Sequence, residues 1–481
     1  MRYSMLAYIT KMSQTLLEAA QYLCGAPEEG LREELLDNGR QMLAQIRAVL
    51  EQHRDDLRSE APLDKLSEIE DSWQAQSDGL EAELEQFIRC LPNEITYQVR
   101  AVFFAELGEK WDAMQSAYEY MRDDPRFDPV VVRTPVGRVV NRNGKQKQEI
   151  IYRDFLTPMG IPSLGYDRYD IEKDCPELAF ISQPYESCTM QEFWPENIAK
   201  HTRLVYLPYF LPNEVSEESI QPLAQLPVYR FAWKAVCPTE KQYKFYCRYA
   251  ENKGTNALVT GAPKSDAFVA IRQHGVQRPK KWAKLDEKTI FLWNSWYDIG
   301  ISSLRYFEKI MEWFNTHEEC GLIWRPHPMT DTVTKLYYPK QYNTYQKCVR
   351  QAEMAQNVVV DQESSCAAAF SVSHAMISDG SSLLPQYLIL DKPALWIRNE
   401  GERDTGGEFV DHGWMEQASQ ISGVFKFMED ICQGKDNKAK QRKIILQQDL
   451  PLADGHCGER VCETIWSELH QEDHIPNWQG I

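Results

Sequence analysis

No apolar run in the 481 residues is long enough to cross a bilayer as a helix. Positive charge is in short supply: 53 Lys and Arg stand against 71 Asp and Glu, a net charge of −18. Such a chain is a poor non-specific ligand of nucleic acid or anionic lipid. The 12 cysteines are scattered and include no C-x-x-C pair. That spacing argues against a disulfide framework and suits a reducing cytoplasm. Cys457 and Cys462 flank no second pair that would complete a zinc site with His456. Walker A, G-x-G-x-x-G and G-x-S-x-G motifs are all missing, which removes support for P-loop NTPases, simple dehydrogenases and α/β-hydrolases. The first 25 residues are interrupted by Lys11, Ser13, Gln14, Thr15 and Glu18 and read as an amphipathic helix rather than a signal peptide.

What is present is a packed, two- or three-domain composition, 43% hydrophobic and 26% charged. Residues 1–95 read as a helical extension. Leu36, Leu43, Leu50 and Leu57 recur every seven residues, as in a helix packed lengthwise on another, and Pro27, Pro62 and Pro92 stand where helices would begin. At residue 99 the pattern changes to short apolar runs separated by helical spacing. Strands are expected at 99–105, 129–132, 178–182, 204–207 and 257–260, a helix over 107–121, another over 228–252, and a long loop over 134–170. A second series opens at Thr289, with strands at 290–293, 321–324, 358–360, 375–377 and 393–397. Residues 266–288 read as a linker and 458–469 as a closing helix. This gives an α/β architecture of two doubly wound, Rossmann-like domains, 96–280 and 281–481, facing a cleft.

The second domain carries polar residues at three strand ends. They are Asn294 and Ser295, then Arg325 and His327 in the run RPHP, then Asp379, Gly380, Ser381 and Ser382. A glycine and two serines opening a helix offer backbone N–H groups to an anion, and a guanidinium and an imidazole beside them suit a phosphate pocket. Taken singly, each has a plainer reading. DGSS is then an ordinary strand-to-helix turn, His327 a hydrogen-bonded loop residue, Arg325 a partner for a carboxylate. His374 reads as a packed core histidine.

These motifs resemble those of the CDP-glycerol glycerophosphotransferase family, the teichoic-acid-type polymerases and primases of GT-B fold. The resemblance runs over residues 97–465. It is carried by KWDAMQSAYEYM and VVVRTP, by RLVYLPYFLP, by NKGTNALVTGAPKSD, by RPHP with DGSS, and by DGHCGER. An HP motif followed by an SS motif is shared with bacterial polysialyltransferases and related capsule enzymes that use CMP-sugars, so both readings imply a cytidine donor. The resemblance implies that the second domain holds a CDP-polyol, with the DGSS turn on the diphosphate, Asn294, Ser295 and Arg325 lining the pocket, and His327 stabilising the leaving CMP. It implies no permanently bound cofactor, and leaves a divalent metal requirement open. The acceptor would be a glycan or lipid-linked hydroxyl met at the inner face of the membrane, and the helical extension would be free to mediate oligomerisation. The chain departs from the family at one place. Where the family carries a His-Gly motif holding its candidate base, this chain reads Ile181-Ser182-Gln183-Pro184-Tyr185-Glu186. Glu186 is the base candidate there, its alternative being a surface glutamate. Two rival readings remain: a CMP-sugar-dependent glycosyltransferase, and a GT-B scaffold without catalysis.

Overall fold

The computed structural model describes residues 1–25, 28–142, 145–211, 221–297, 302–399 and 407–471. Four helices come first: α1 (Tyr3–Cys24), α2 (Glu29–Gln52), α3 (Ala61–Ala75) and α4 (Leu80–Glu94). Their apolar stripes face inward, with Ile9, Leu16, Ile46, Leu66, Leu84 and Phe87 almost wholly buried in one core. The heptad leucines Leu36, Leu43 and Leu50 lie in it, whereas Leu57 falls beyond α2 and bridges to Ile95. Pro62 occupies the first turn of α3, where a missing N–H costs nothing. Pro92 opens no helix but sits in the last turn of α4, and Pro27 lies outside the described residues.

Two parallel sheets follow. The first contains β1 (Val99–Ala105), β2 (Phe127–Arg133), β5 (Leu164–Gly165), β6 (Leu178–Ile181), β7 (Arg203–Tyr206), β8 (Lys234–Cys237) and β9 (Ala257–Val259), in the order β5-β2-β1-β6-β7-β8-β9. β3 (Val136–Arg142) and β4 (Lys145–Ile151) form an antiparallel hairpin where a loop was expected. The second sheet contains β10 (Thr289–Ser295), β11 (Cys320–Pro326), β12 (Val358–Val360), β13 (Ala375–Ser378), β14 (Ala394–Ile397) and β15 (Glu416–Ala418), in the order β12-β11-β10-β13-β14-β15. Both sheets are covered on both faces. In β1, Val99, Ala101, Phe103 and Ala105 enter one core while Val102 and Phe104 enter the other. In β10, Ile290 and Leu292 alternate in the same way with Phe291 and Trp293. A strand apolar on both faces reads as a continuous run, and that is why these strands stood out.

Three further expectations are corrected. The stretch 228–252 is not one helix; β8 separates the helices Pro227–Phe231 and Glu240–Tyr249. The helix over 107–121 is two, Gly108–Trp111 and Gln115–Asp123. The expected linker holds a helix, Lys264–His274, whose Phe268, Val269 and Ile271 join the core of the second domain. The closing helix Cys457–Gln471 returns to the first domain, where Val461, Cys462, Ile465 and Leu469 complete the core beside β1. The carboxyl ends of the two sheets meet. Lys264, beyond β9, pairs with Asp112, beyond β1, at 2.5 Å, and Cys366, beyond β12, feels the charges of both as well as that of Arg325.

Candidate functional site

In the second sheet the strand order reverses between β10 and β13, the place where an open α/β sheet parts at its carboxyl edge and takes ligands. Register sets the residues there. Asn294 of β10 lies level with Arg325 of β11 on one side and with Ser378 of β13 on the other. Asn294 ties the row together: its Nδ2 donates to the Arg325 carbonyl at 3.2 Å, and its Oδ1 accepts from Ser378 Oγ at 3.2 Å. One residue further on, Ser295 Oγ accepts from Trp324 Nε1 at 3.1 Å, and the Ser295 carbonyl accepts from the backbone N–H of His327 at 2.9 Å. The motifs RPHP and DGSS are thereby held on the two strands that flank β10, with its Asn-Ser end between them.

His327 is partly buried, with the rings of Trp296 and Tyr297 edge-on at 4.8 and 5.7 Å. Burial pushes its pKa down to about 4. Its Nδ1 accepts from the Met329 N–H at 3.1 Å, so the neutral ring carries its proton on Nε2. The side chain is thus a neutral hydrogen-bond donor throughout the physiological range.

Asp379 is braced. It is 8% exposed and accepts from the N–H groups of Trp296 at 2.6 Å and Ser303 at 2.9 Å. Burial raises its pKa to about 6 against those bonds. Its carboxylate thereby ties Trp296 and Ser303 to the DGSS turn. Gly380 lies over Trp396, whose Nε1 a Cβ there would meet at 3.3 Å. Ser381 Oγ accepts from the Leu383 N–H at 3.1 Å, so Ser381 and not Ser382 makes the side-chain cap of the helix Leu383–Ile389. Arg325 also turns out to be engaged. It is 6% exposed, bonds Asp361 at 2.6 Å, and donates to the carbonyls of Glu363 and Ser364 at 2.8 and 3.2 Å. That partner is supplied because Asp361 closes β12 beside it, its backbone N–H bonded to the Trp324 carbonyl.

In the first sheet the order reverses between β1 and β6. Here the sequence reading missed Glu106, the first residue beyond β1 and 8% exposed. Lys110 Nζ donates to it at 3.1 Å and Gln183 Nε2, from the end of β6, at 3.4 Å. Burial raises its pKa, with Lys110 opposing. The signal available was slight: an acid directly after an apolar strand. Glu186 lies nearby in sequence, on the turn Glu186–Cys188, and burial and then Glu196 raise its pKa. His374 is exposed at the amino end of β13, where its Nδ1 accepts from the Ile290 N–H at 2.9 Å. His201 meets Glu172 at 3.6 Å. Among the described residues no three His, Cys, Asp or Glu are grouped to hold a metal ion.

Residues 234–467 match the family model described as CDP-Glycerol:Poly(glycerophosphate) glycerophosphotransferase. No curated protein matches the chain. The solved structure of the wall teichoic acid polymerase TagF is similar at a TM-score of 0.51 and 11% identity, covering 86% of this chain and 100% of that one. UDP-GlcNAc 2-epimerase from Neisseria meningitidis, bound to UDP-GlcNAc, is similar at 0.51 and 12%, covering 77% and 100%. MnaA from S. aureus, in a structure with UDP, gives 0.51 and 13%, covering 79% and 99%. At such identities the likeness fixes the fold, which is GT-B with a helical amino-terminal region. With the family match spanning both the RPHP and the DGSS motifs, the resemblance of this chain to the CDP-glycerol glycerophosphotransferases holds over residues 234–467.

Proposed function

We propose that the protein transfers glycerol phosphate, or a related polyol phosphate, from a CDP-linked donor to a hydroxyl of a cell-surface glycan or teichoic-acid-like acceptor, releasing CMP. The observation that carries this reading is the shared register of β11, β10 and β13. It sets the RPHP loop and the DGSS turn on either side of the β10 end at the reversal point of the second sheet, inside the segment that matches the family. In this reading the N–H groups of Gly380, Ser381 and Ser382 receive the diphosphate. Asn294, Ser295, Arg325 and Asp379 hold those loops at their spacing. His327 Nε2–H points its hydrogen bond at the phosphate oxygen on which charge collects as CMP leaves. In-line attack on phosphorus asks mostly for positioning and charge stabilisation, which such a set supplies. One of the TagF structures was soaked with CDPG, which supports the donor class.

The reading puts the protein at the inner face of the membrane, where lipid-linked acceptors would be met. None of the described helices is long and apolar enough to cross a membrane. Peripheral contact is supported by the surface just beyond His327, where Met329, Leu336, Tyr337 and Tyr338 are exposed beside Lys335 and Lys340.

The test is a thermal-shift and CMP-release screen with CDP-glycerol, CDP-ribitol, CMP-sialic acid, UDP-sugars and CDP. A native-state ligand at about 100 times its Kd adds about 2.7 kcal/mol of stability. Stabilisation and CMP release with CDP-polyols, and none with UDP-sugars, is the expected result. Turnover of CMP-sugars alone would move the protein to the capsule-type glycosyltransferases. Indifference to every nucleotide would leave a GT-B scaffold.

A further inference from the structure

Glu106 begins the loop that leaves β1, and β1 and β6 are the strands between which the first sheet reverses its order. The two lips of that crevice are Glu106 and Gln183, joined by the bond from Gln183 Nε2. The bonds from Gln183 and Lys110 both fall on Oε2, and the Thr189 hydroxyl is a third polar neighbour of the carboxylate. Lys110 is the charged group facing the carboxylate, and its Nζ also sits 4.9 Å from the ring centre of Tyr209, a titratable neighbour that has Tyr185 and Cys188 beside it. The chain then runs through the helix Gly108–Trp111 to Asp112, which meets Lys264 at the junction with the second domain. Glu106 therefore stands at the carboxyl edge of its sheet, at the point where the strand order reverses. Glu186, by contrast, sits on a partly exposed turn, and the charge that acts on it is that of Glu196.

We propose that Glu106, rather than Glu186, is the base that takes the proton of the acceptor hydroxyl, with Lys110 and Gln183 setting its ionisation and its aim. The inference rests on the transfer reading above. In the step, the Glu106 carboxylate accepts the hydroxyl proton, and the acceptor oxygen forms its bond to the phosphorus that bears the polyol. The bond from that phosphorus to the CMP oxygen breaks, its electron pair staying on the CMP phosphate, where His327 Nε2–H donates. The proton leaves Glu106 to solvent after the product departs. Lys110 keeps the resting carboxylate ionised, and burial keeps it basic enough to act.

The experiment compares full-length wild type, E106Q and K110M. CMP release from CDP-glycerol is followed with glycerol as the probe acceptor, from pH 5 to 9, and CDP-glycerol affinity is read from thermal shifts. The expected result for E106Q is a fall in kcat of about 100-fold or more, donor affinity within about 2-fold of wild type, and loss of the acid limb of the kcat profile. In K110M the acid limb should move up by about one pH unit, because the cation that favours the ionised carboxylate is gone. A purely structural ion pair would not move that limb. Wild-type turnover in E106Q, or an acid limb that persists in E106Q and vanishes in E186Q, overturns the assignment while the transfer reading stands. A wild-type protein that neither binds nor cleaves CDP-glycerol overturns the transfer reading, and the base falls with it.

Discussion

The neutrality of His327 follows from two local facts, burial beside Trp296 and Tyr297 and an Nδ1 already occupied by the Met329 N–H. Replacing it with Gln keeps an N–H donor near the site but loses its placement, and CMP release should fall by about 100- to 1,000-fold, the range for loss of one transition-state donor. The same substitution carries a pH signature. The folded pKa of about 4 lies below the ordinary 6.5, so the unfolded chain binds the proton that the folded protein refuses. Stability from this group is whole above 6.5 and is lost as pH falls toward 4, by about 2 kcal/mol between pH 7 and 5. The urea midpoint of wild type should therefore fall further between pH 7 and pH 5 than that of H327Q. Equal pH slopes would mean that His327 titrates normally. The motif made His327 legible in sequence, but the roles of its neighbours were not. Arg325 and Asp379 are charged residues whose partners, Asp361 and the N–H groups of Trp296 and Ser303, are fixed only by strand register. Glu106 was invisible for the same reason, since an acid after a strand gains meaning only when sheet order puts it at a reversal point.

Elements were legible where they were long and apolar on both faces. β1 and β12 fall on the residues expected, and β10, β11, β13 and β14 within a few of them. β8 was lost because four residues between two helices with apolar spacing look like one helix. The break at residues 112–114 was lost because Trp111, Met114, Tyr118 and Met121 all face one core whether or not the helix is continuous. The closing helix was readable, but not its seat. Asp266 accepts from Cys457 N–H at 3.0 Å, Gly458 N–H at 2.8 Å and Ser116 Oγ at 2.8 Å, clamping the helix start onto the helix Gln115–Asp123. The two approach so closely that a Cβ on Gly458 would lie 2.5 Å from the Ser116 carbonyl carbon. On an exposed helix Gly→Ala stabilises by about 1 kcal/mol. Here G458A should do the opposite, lowering stability by roughly 1–3 kcal/mol in urea, because backbone cannot yield as a side chain can. A stabilised G458A would show that the helix packs more loosely than described.

At the scale of the whole molecule, the helical extension docks at the far edge of the first sheet from the cleft. Glu177, just before β6 and 1% exposed, accepts from Ser4 N–H at 3.0 Å, Arg2 Nη2 at 3.0 Å and Arg100 N–H at 2.8 Å, joining α1 to the amino ends of β1 and β6. Tyr97 stacks on Trp466 at 5.9 Å and Tyr3 Oη bonds the Leu469 carbonyl at 3.0 Å, so the closing helix is held by the bundle at one end and by Asp266 at the other. The proposed donor residues all lie at the carboxyl edges. Glu177→Ala strands two backbone N–H groups, while the Arg2 head keeps its bonds to the carbonyls of Asp174 and Cys175, and the loss should be about 2–4 kcal/mol. Calorimetry should then show an early transition for the bundle and first domain, while the transition carrying the CDP-glycerol-induced shift keeps its size. If the variant instead loses the donor shift, bundle docking and cleft geometry are coupled through the closing helix, and the extension belongs to the functional machinery rather than to its support.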